Sequence, residues 1–246
     1  RLIKLSATNS TNSFLKELAM NSMLDDYTVV TTNDQTFGRG QMNNHWVSEP
    51  YKNLTFSTYT TLKSLQIKQQ AYLNFAISLA IYDSLKMLSV PNLSIKWPND
   101  IMSANQKICG ILIETTLKQE MIKNTIIGIG LNLNLSKTQL EKIDQPATDI
   151  NNLVSENIDS NFFMAIIIKE LAQVLASFES DQFKPFKDEW LSYHAFQDKL
   201  INIMLGNSQT ITGKAIDISD TGALIVRTDE GAKSFASGEV SIRSAA

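Results

Sequence analysis

Two hydrophobic periods alternate along this chain, and the places where one gives way to the other mark its elements. Residues 27–32 read Tyr-Thr-Val-Val-Thr-Thr. Such a β-branched, aromatic run predicts a strand. Residues 52–59 set apolar Leu54 and Phe56 between polar neighbours and predict another. Over residues 68–88 the period lengthens. Ala71, Phe75, Leu79, Tyr82, Leu85 and Met87 recur at helical spacing, as on a long helix with a core-facing stripe. A short strand over 93–97 stops at Pro98, which cannot continue a central ladder. Residues 101–106 read as a polar turn, and 107–114 and 125–134 as buried strands that form a hairpin. Gly128 and Gly130 interrupt the second of these, where something must pack closely on the backbone. Residues 138–158 are loose and short-helical, and 162–178 and 186–194 read as helices.

Near residue 198 the texture changes. Short strands at 200–205, 209–216, 222–228 and 234–236 are split by turns at Gly206-Asn207, Asp220-Thr-Gly222 and Asp229-Glu-Gly231. This predicts a small antiparallel β-barrel, so the expected domains are 1–197 and 198–246. At the other end, Ala7-Thr-Asn-Ser-Thr-Asn-Ser13 precedes a stripe of Phe14, Leu15, Leu18, Ala19 and Leu24. Hydroxyl and amide side chains there cap a helix start. Capping alone accounts for the cluster; the sharper reading adds that Ser10, Thr11 and Asn12 bond a small polar ligand.

Between two apolar segments lies Phe37-Gly-Arg-Gly-Gln-Met-Asn-Asn-His-Trp46, which reads as a loop. Gly38 and Gly40 permit positive φ and close approach to a ligand. Arg39 offers a planar fork for a carboxylate or phosphate. A plain surface turn and a mobile anion-binding loop both fit.

Composition narrows the class. Of 246 residues, 43% are apolar and 19% charged, as in a globular chain. A net charge of −3, from 22 basic and 25 acidic residues, gives no basic field for nucleic acid. The single Cys109 excludes an internal disulfide framework and suits the cytoplasm. Two histidines and one cysteine leave a structural zinc site short of its usual ligands. No apolar run approaches the roughly 18 residues of a membrane span, so no membrane partner is expected.

His45 and His194 sit in no nucleophile motif, and no Walker loop is present. Gly38-Arg-Gly40 starts like a dinucleotide fingerprint, but position 43 is Asn and the loop leads into a strand. Phosphate binding must then rest on loop amides, Arg39 and lysines. Lys96 and Asp100 fall near a strand end, where sites gather. An ordinary surface ion pair is the plainer account of them.

Taken in order, the segments resemble the biotin protein ligase family. The resemblance is carried by Ser10-Thr-Asn12, Gln35 before Gly38-Arg-Gly40, Trp46, Asn53-Leu54, Lys96-Trp-Pro-Asn-Asp100, Lys107-Ile-Cys-Gly-Ile-Leu-Ile-Glu114, Gly128-Ile-Gly-Leu-Asn132 and Gly238-Glu-Val-Ser-Ile-Arg243. It implies an α/β (α+β) fold: a mixed-sheet catalytic domain of the biotin/lipoate ligase type, then a small SH3-like β-barrel. It implies activation of biotin with ATP and Mg²⁺ as biotinyl-5′-AMP, then transfer to a lysine of a biotin carboxyl carrier domain. A homodimer stays open. Joining two anions needs cations to offset their repulsion. By resemblance, Lys107, Arg39, Asp100 and Lys96 are the catalytic candidates, with Asp100 orienting or deprotonating the carrier lysine. Biotin is assigned Ser10, Thr11, Asn12, Gln35, Gly38, Arg39, Gly40, Gln41, Trp46, Lys107, Gly110, Ile111 and Leu112. The nucleotide is assigned Arg39, Gln41, Trp46, Lys96, Asn99, Asn132 and Arg243, and no metal ligand is assigned.

Two positions depart from the family's pattern: Gln41 stands where some members carry Arg, and Asn43 replaces a usual Gly, so less positive charge near the phosphate and weaker retention of the intermediate are expected. The loop, 38–46, is expected to be mobile without ligand and ordered over the adenylate. With the catalytic domain at the start of the chain, a ligase lacking the family's winged helix-turn-helix is expected, unless trimming removed it. Gln35, the Gly-Arg-Gly loop and the barrel favour biotin over a lipoate or octanoate transferase. Lys96, Asp100 and Lys107 argue against a passive biotin-binding module, and the barrel's few basic residues against a nucleic-acid binder.

Overall fold

The computed structural model describes every residue except 42–43, 63–64, 68–69, 182–183, 207–208, 220 and 246. Expectations that fall on Asn43, Asn207, Asp220 and positions 68–69 lie outside the described residues.

The larger sheet has seven strands: β1 (Leu2–Leu5), β2 (Thr28–Thr32), β5 (Asn53–Thr60), β6 (Leu93–Lys96), β7 (Asp100–Ser103), β8 (Gln106–Lys118) and β9 (Met121–Asn132). Their order is β1-β2-β5-β9-β8-β7-β6. β1 and β2 run parallel, and each remaining neighbour pair is antiparallel. Between β2 and β5 the chain forms a two-stranded hairpin, β3 (Gly38–Arg39) with β4 (His45–Trp46). The expected plain loop is thus a short hairpin in which Gly38 pairs with Trp46.

Successive strand residues face opposite sides, and the two faces of this sheet differ sharply. Along β9, Ile127, Ile129 and Leu131 enter the main core. Ile126 instead joins a small cluster with Leu15, Val30 and Tyr59. Gly128, Gly130 and Asn132 continue that second face. Helix α1 (Thr11–Asn21) covers only part of it. The main core lies on the first face, under α2 (Gln70–Met87), α4 (Ser160–Asp181) and α5 (Lys184–Tyr193). A short helix, α3 (Lys137–Leu140), precedes these last two. β5 is more enclosed than its alternation suggested, with all eight residues buried. Leu54 and Phe56 serve the core, while Thr55 and Ser57 belong to the opposite face.

Two readings of the sequence are corrected here. Residues 101–106 are not one polar turn: Asp100–Ser103 form β7, and the turn is confined to Ala104 and Asn105, both at positive φ. A stretch passed over for membrane character, Ser160–Phe178, is long and apolar enough to cross a bilayer, with a mean hydropathy of 1.4. In the fold its Phe163, Met164, Ile167, Leu171, Leu175 and Phe178 fill the core, against α2.

The smaller sheet holds β10 (Leu200–Leu205), β11 (Thr210–Ile218), β12 (Leu224–Thr228), β13 (Gly231–Phe235) and β14 (Val240–Ser244) in the order β13-β12-β11-β10-β14. β14 completes the set and was not read as a strand. This antiparallel unit packs against the larger one, and one core cluster runs through both. Lys187 of α5 pairs with Asp217 at 3.1 Å. The Trp97 indole donates to the Gly222 carbonyl at 3.1 Å. Gly222 sits at φ +77°, and a Cβ there would run into Ala71. Mixed sheet, helical cover and small carboxy-terminal β unit together bear out the expected fold class.

Candidate active site

The second face of the large sheet, left open beyond α1, is the floor of a cavity of about 570 Å³. The alternation in β9 explains the opening: large Ile and Leu side chains point to the core, and Gly128 and Gly130 leave the other side low. Small residues there admit close neighbours. A Cβ at Gly128 would collide with the Asn12 amide, and one at Gly130 with the Trp46 ring. Gly110 of β8 is similar, its Cβ position being 2.9 Å from Trp46 Cζ3. The close packing expected at both β9 glycines is thus supplied by the protein's own side chains.

One end of the cavity is neutral and fully knitted. Ser10 caps α1, its hydroxyl accepting from Ser13 N. That turn aims Thr11 and Asn12 at β5. The Ser57 hydroxyl lies 2.7 Å from Thr11 Oγ1 and donates to Asn12 Oδ1 at 2.6 Å. Gln35 Oε1 accepts from Thr11 N at 2.9 Å. Capping and site lining are therefore both roles of this segment.

Over that end lies the hairpin β3–β4. Gly38 and Gly40 are not among the glycines at positive φ, which are Gly222, Gly231 and Gly238. Close approach is what they provide: a Cβ at Gly38 would stand 2.6 Å from Trp46 O and 2.7 Å from Gln35 Nε2. Arg39 forks onto Glu114, with Nη2 to Oε2 at 2.5 Å and Nη1 to Oε1 at 3.3 Å. Asn12 Nδ2 donates to the same carboxylate at 3.0 Å. Burial pushes the Glu114 pKa up, but Asn12 and Arg39 outweigh it and hold the carboxyl below its usual range.

The opposite end is charged. Lys107 Nζ meets Asp100 Oδ1 at 2.6 Å, and Lys96 Nζ lies 4.0 Å from Asp100 Oδ2. The β6–β7 turn places Lys96 and Asp100 opposite each other in register. Lys96 is 6% exposed and donates to Gln145 Oε1 at 2.9 Å. Burial pushes its pKa down to about 8; Asp100 opposes that, while Arg243 and Lys107 add to it. A second anion brought here would relieve an excess of positive charge. Lys107 also stands 5.6 Å from the Trp46 ring centroid.

Of the residues expected at the site, Ser10, Thr11, Asn12, Gln35, Arg39, Gly40, Gln41, Trp46, Lys96, Asn99, Asp100, Lys107, Gly110, Ile111, Leu112, Asn132 and Arg243 all line this cavity. Several sit differently from expectation. The Ile111 side chain belongs to the core, and its backbone is tied to Asn99, whose amide donates to Ile111 O. Asn132 is engaged by protein, accepting from Asn53 at 3.2 Å and donating to Thr148 O at 3.0 Å. Arg39 is at the Glu114 end, away from the lysines. Arg243 reaches in from β14, its Nη1 donating to Ile242 O at 3.0 Å.

Sequence reasoning missed Ser57, Glu114 as a partner of the loop, and the rim segment carrying Lys142, Asp144 and Gln145. The rim is held beside β8 by Lys107 N donating to Pro146 O at 2.8 Å and Thr148 N to Lys107 O at 3.0 Å. No local pattern announces that pairing. The alternation of hydroxyls in β5 could have signalled Ser57.

Comparison with known proteins matches the same segments. The model of the biotin/lipoate A/B protein ligase family matches residues 5–132, and that of the biotin protein ligase C terminal domain matches 200–243. The bifunctional ligase/repressor BirA of Escherichia coli is 28% identical over 211 residues, 86% of this chain and 65% of that protein. The chain thus spans about two thirds of that relative's length. The biotin–[acetyl-CoA-carboxylase] ligase of Paracoccus denitrificans is 28% identical over 240 residues, covering 96% of this chain and 98% of that one. The structure of a biotin protein ligase from Aquifex aeolicus in complex with biotin and ATP superimposes with a TM-score of 0.84 at 28% identity, over 100% and 99% of the two chains. The low glycine floor, the knitted neutral end and the lysine pair all fall within the first match. With more than half of its 246 residues inside that match, the chain belongs to the biotin/lipoate A/B protein ligase family.

Proposed function

We propose that this protein is an ATP-dependent ligase that activates biotin as biotinyl-5′-AMP and transfers it to a lysine of a biotin carboxyl carrier domain. The observation that carries the reading is the polarity of one cavity: a neutral hydrogen-bonding end built from Thr11, Asn12, Ser57 and Gln35, and a cationic end built from Lys96 and Lys107 around Asp100. A ureido ring is neutral and matches the first. A carboxylate meeting an α-phosphate needs the second, where paired cations in a water-poor site stabilise the charge that builds up. Lys107 faces the carboxylate and phosphate oxygens, Lys96 the nucleotide phosphates, and Arg243 adds positive charge from β14. Asp100 sits between the two lysines, placed to orient an incoming amine and take its proton once they engage phosphate. Trp46, Gln41 and the backbone at Asn132 wall the nucleotide side.

Mg²⁺ fits this site as a companion of the nucleotide. Among the described residues no three His, Cys, Asp or Glu side chains gather into a cage, and Mg²⁺ is commonly held mostly by substrate phosphates and water. It supplies charge neutralisation on the departing pyrophosphate. The hairpin carrying Arg39 and Trp46 orders over the intermediate and excludes water from it. In this reading residues 1–197 form the catalytic unit and 198–246 the supporting β unit.

The test is ATP–pyrophosphate exchange with biotin, lipoate or octanoate supplied separately, followed by labelling of a carrier domain. Exchange with biotin alone, and label on one carrier lysine, is the expected result. Exchange supported by lipoate instead, or none at all, overturns the assignment.

A further inference from the structure

Glu114 has no role in the chemistry derived so far and lies behind the cavity lining, yet its carboxylate is held by Asn12 and Arg39, which do line it. It accepts both guanidinium nitrogens of Arg39, at 2.5 and 3.3 Å, and Asn12 Nδ2 at 3.0 Å, and Lys16 stands at 3.5 Å. Its side chain is 20% exposed. Three elements meet on it: the loop hairpin through Arg39, the start of α1 through Asn12, and β8 through its own backbone. Glu114 and Lys107 are seven positions apart on β8, roughly 23 Å of extended strand. No arginine side chain seated on Glu114 reaches the lysine pair.

From this we infer that Glu114 is the positioning residue that fastens the loop hairpin shut, with Arg39 as the clasp and Asn12 as the link to the bound ring. This rests on the ligase reading of the cavity. Asn12 divides its amide between two tasks. Its oxygen accepts from Ser57 in the neutral end, and its nitrogen holds the carboxylate that holds the loop. A ring bound against Asn12 therefore steadies the seat on which Arg39 rests, and the lid is stabilised where the ligand already is. Arg39 is the one Lys or Arg between Phe37 and Trp46, which makes it the loop's cationic attachment to the floor. Arg39 then serves retention of the adenylate, at the end opposite the phosphate.

The full-length chain is given biotin, ATP and Mg²⁺, without carrier. Free biotinyl-adenylate in the ultrafiltrate is measured per pyrophosphate formed. For Glu114→Gln that ratio is expected to rise about tenfold, the scale of losing one partly exposed bidentate ion pair. Arg39→Gln should give the same rise, and the double variant no more than either alone. A ratio at the unsubstituted level in Glu114→Gln, or effects that multiply in the double variant, overturns the inference. So does a lowered melting temperature with no leakage, which is what a purely structural carboxylate would show. Should Glu114→Gln not fold, Arg39→Gln alters only a half-exposed side chain, and a tight filtrate ratio there is equally decisive. Absence of biotin-dependent pyrophosphate in the unsubstituted chain would count against the ligase assignment itself.

Discussion

The two ends of the cavity share one sheet face and solve opposite problems. At the Ser57 end, polar groups are matched by one another and carry no net charge. At the Lys96 end, two cations share one carboxylate, so the pocket is electrostatically incomplete until an anion enters. Neutral matching gives selectivity, because a ligand gains there only if its own donors and acceptors add to or replace the bonds these groups already make. Incomplete charge gives driving force for bringing anions together. The contrast suggests that damage at one end should appear in biotin recognition and damage at the other in chemistry.

The largest effect is expected at Lys107. Lys107→Ala should lower biotin-dependent pyrophosphate exchange by about a hundredfold or more, with the melting temperature little changed. Near-normal exchange would break the division of labour. Next comes Gly128→Ala, whose Cβ would displace the Asn12 amide. It should raise KM for biotin by about thirtyfold, leaving KM for ATP close to its starting value. Equal rises in both would show the two ends are not separable.

Lys96 sharpens the comparison through pH. Its pKa is pushed down to about 8, chiefly by burial. The side chain is charged below that pH and loses its charge above it. kcat/KM for ATP should therefore fall about tenfold per pH unit beyond 8. Lys96→Arg, which stays charged, should move that limb to higher pH. An unchanged limb would assign it to another group.

The smallest effect on activity at neutral pH is expected of His194, outside the cavity. It stacks on Trp190, with centroids 4.8 Å apart. Burial pushes its pKa down to about 4, with Lys199 adding to this and Gln197 opposing it. An unfolded histidine takes a proton near pH 6.5. Between that value and about 4 the unfolded chain binds more protons, so stability falls as pH falls. The loss amounts to at most about 3 kcal/mol. His194→Phe should flatten the melting-temperature curve over this window, and an unaltered curve would remove His194 from the account.

Much of the floor was legible before folding. The Gly-Ile-Gly-Leu-Asn run of β9 encodes, in alternate letters, a filled core side and an open site side. Local spacing also brought Lys96 near Asp100, since a tight turn returns the chain on itself. What could not be read lies in distant pairings. Arg39 finds Glu114 across 75 positions, and the 142–147 rim reaches Lys107 through backbone hydrogen bonds that any sequence could make. β7 escaped notice because four residues are too few to show a period. The glycines at 38 and 40 were credited with unusual φ when absence of a Cβ was what the hairpin required.

The hydrogen bond from Trp97 to Gly222 has a practical consequence. Trp97 sits between Lys96 and Pro98, so the bend that presents the Lys96 ammonium is braced by the indole's hydrogen bond to a carbonyl of the smaller unit. A fragment cut before β10 would keep Lys96, Asp100 and Lys107, and would lose both Arg243 and that brace. Assays on such a truncated version would report a weakened enzyme whose fault lies in scaffolding some 125 positions downstream.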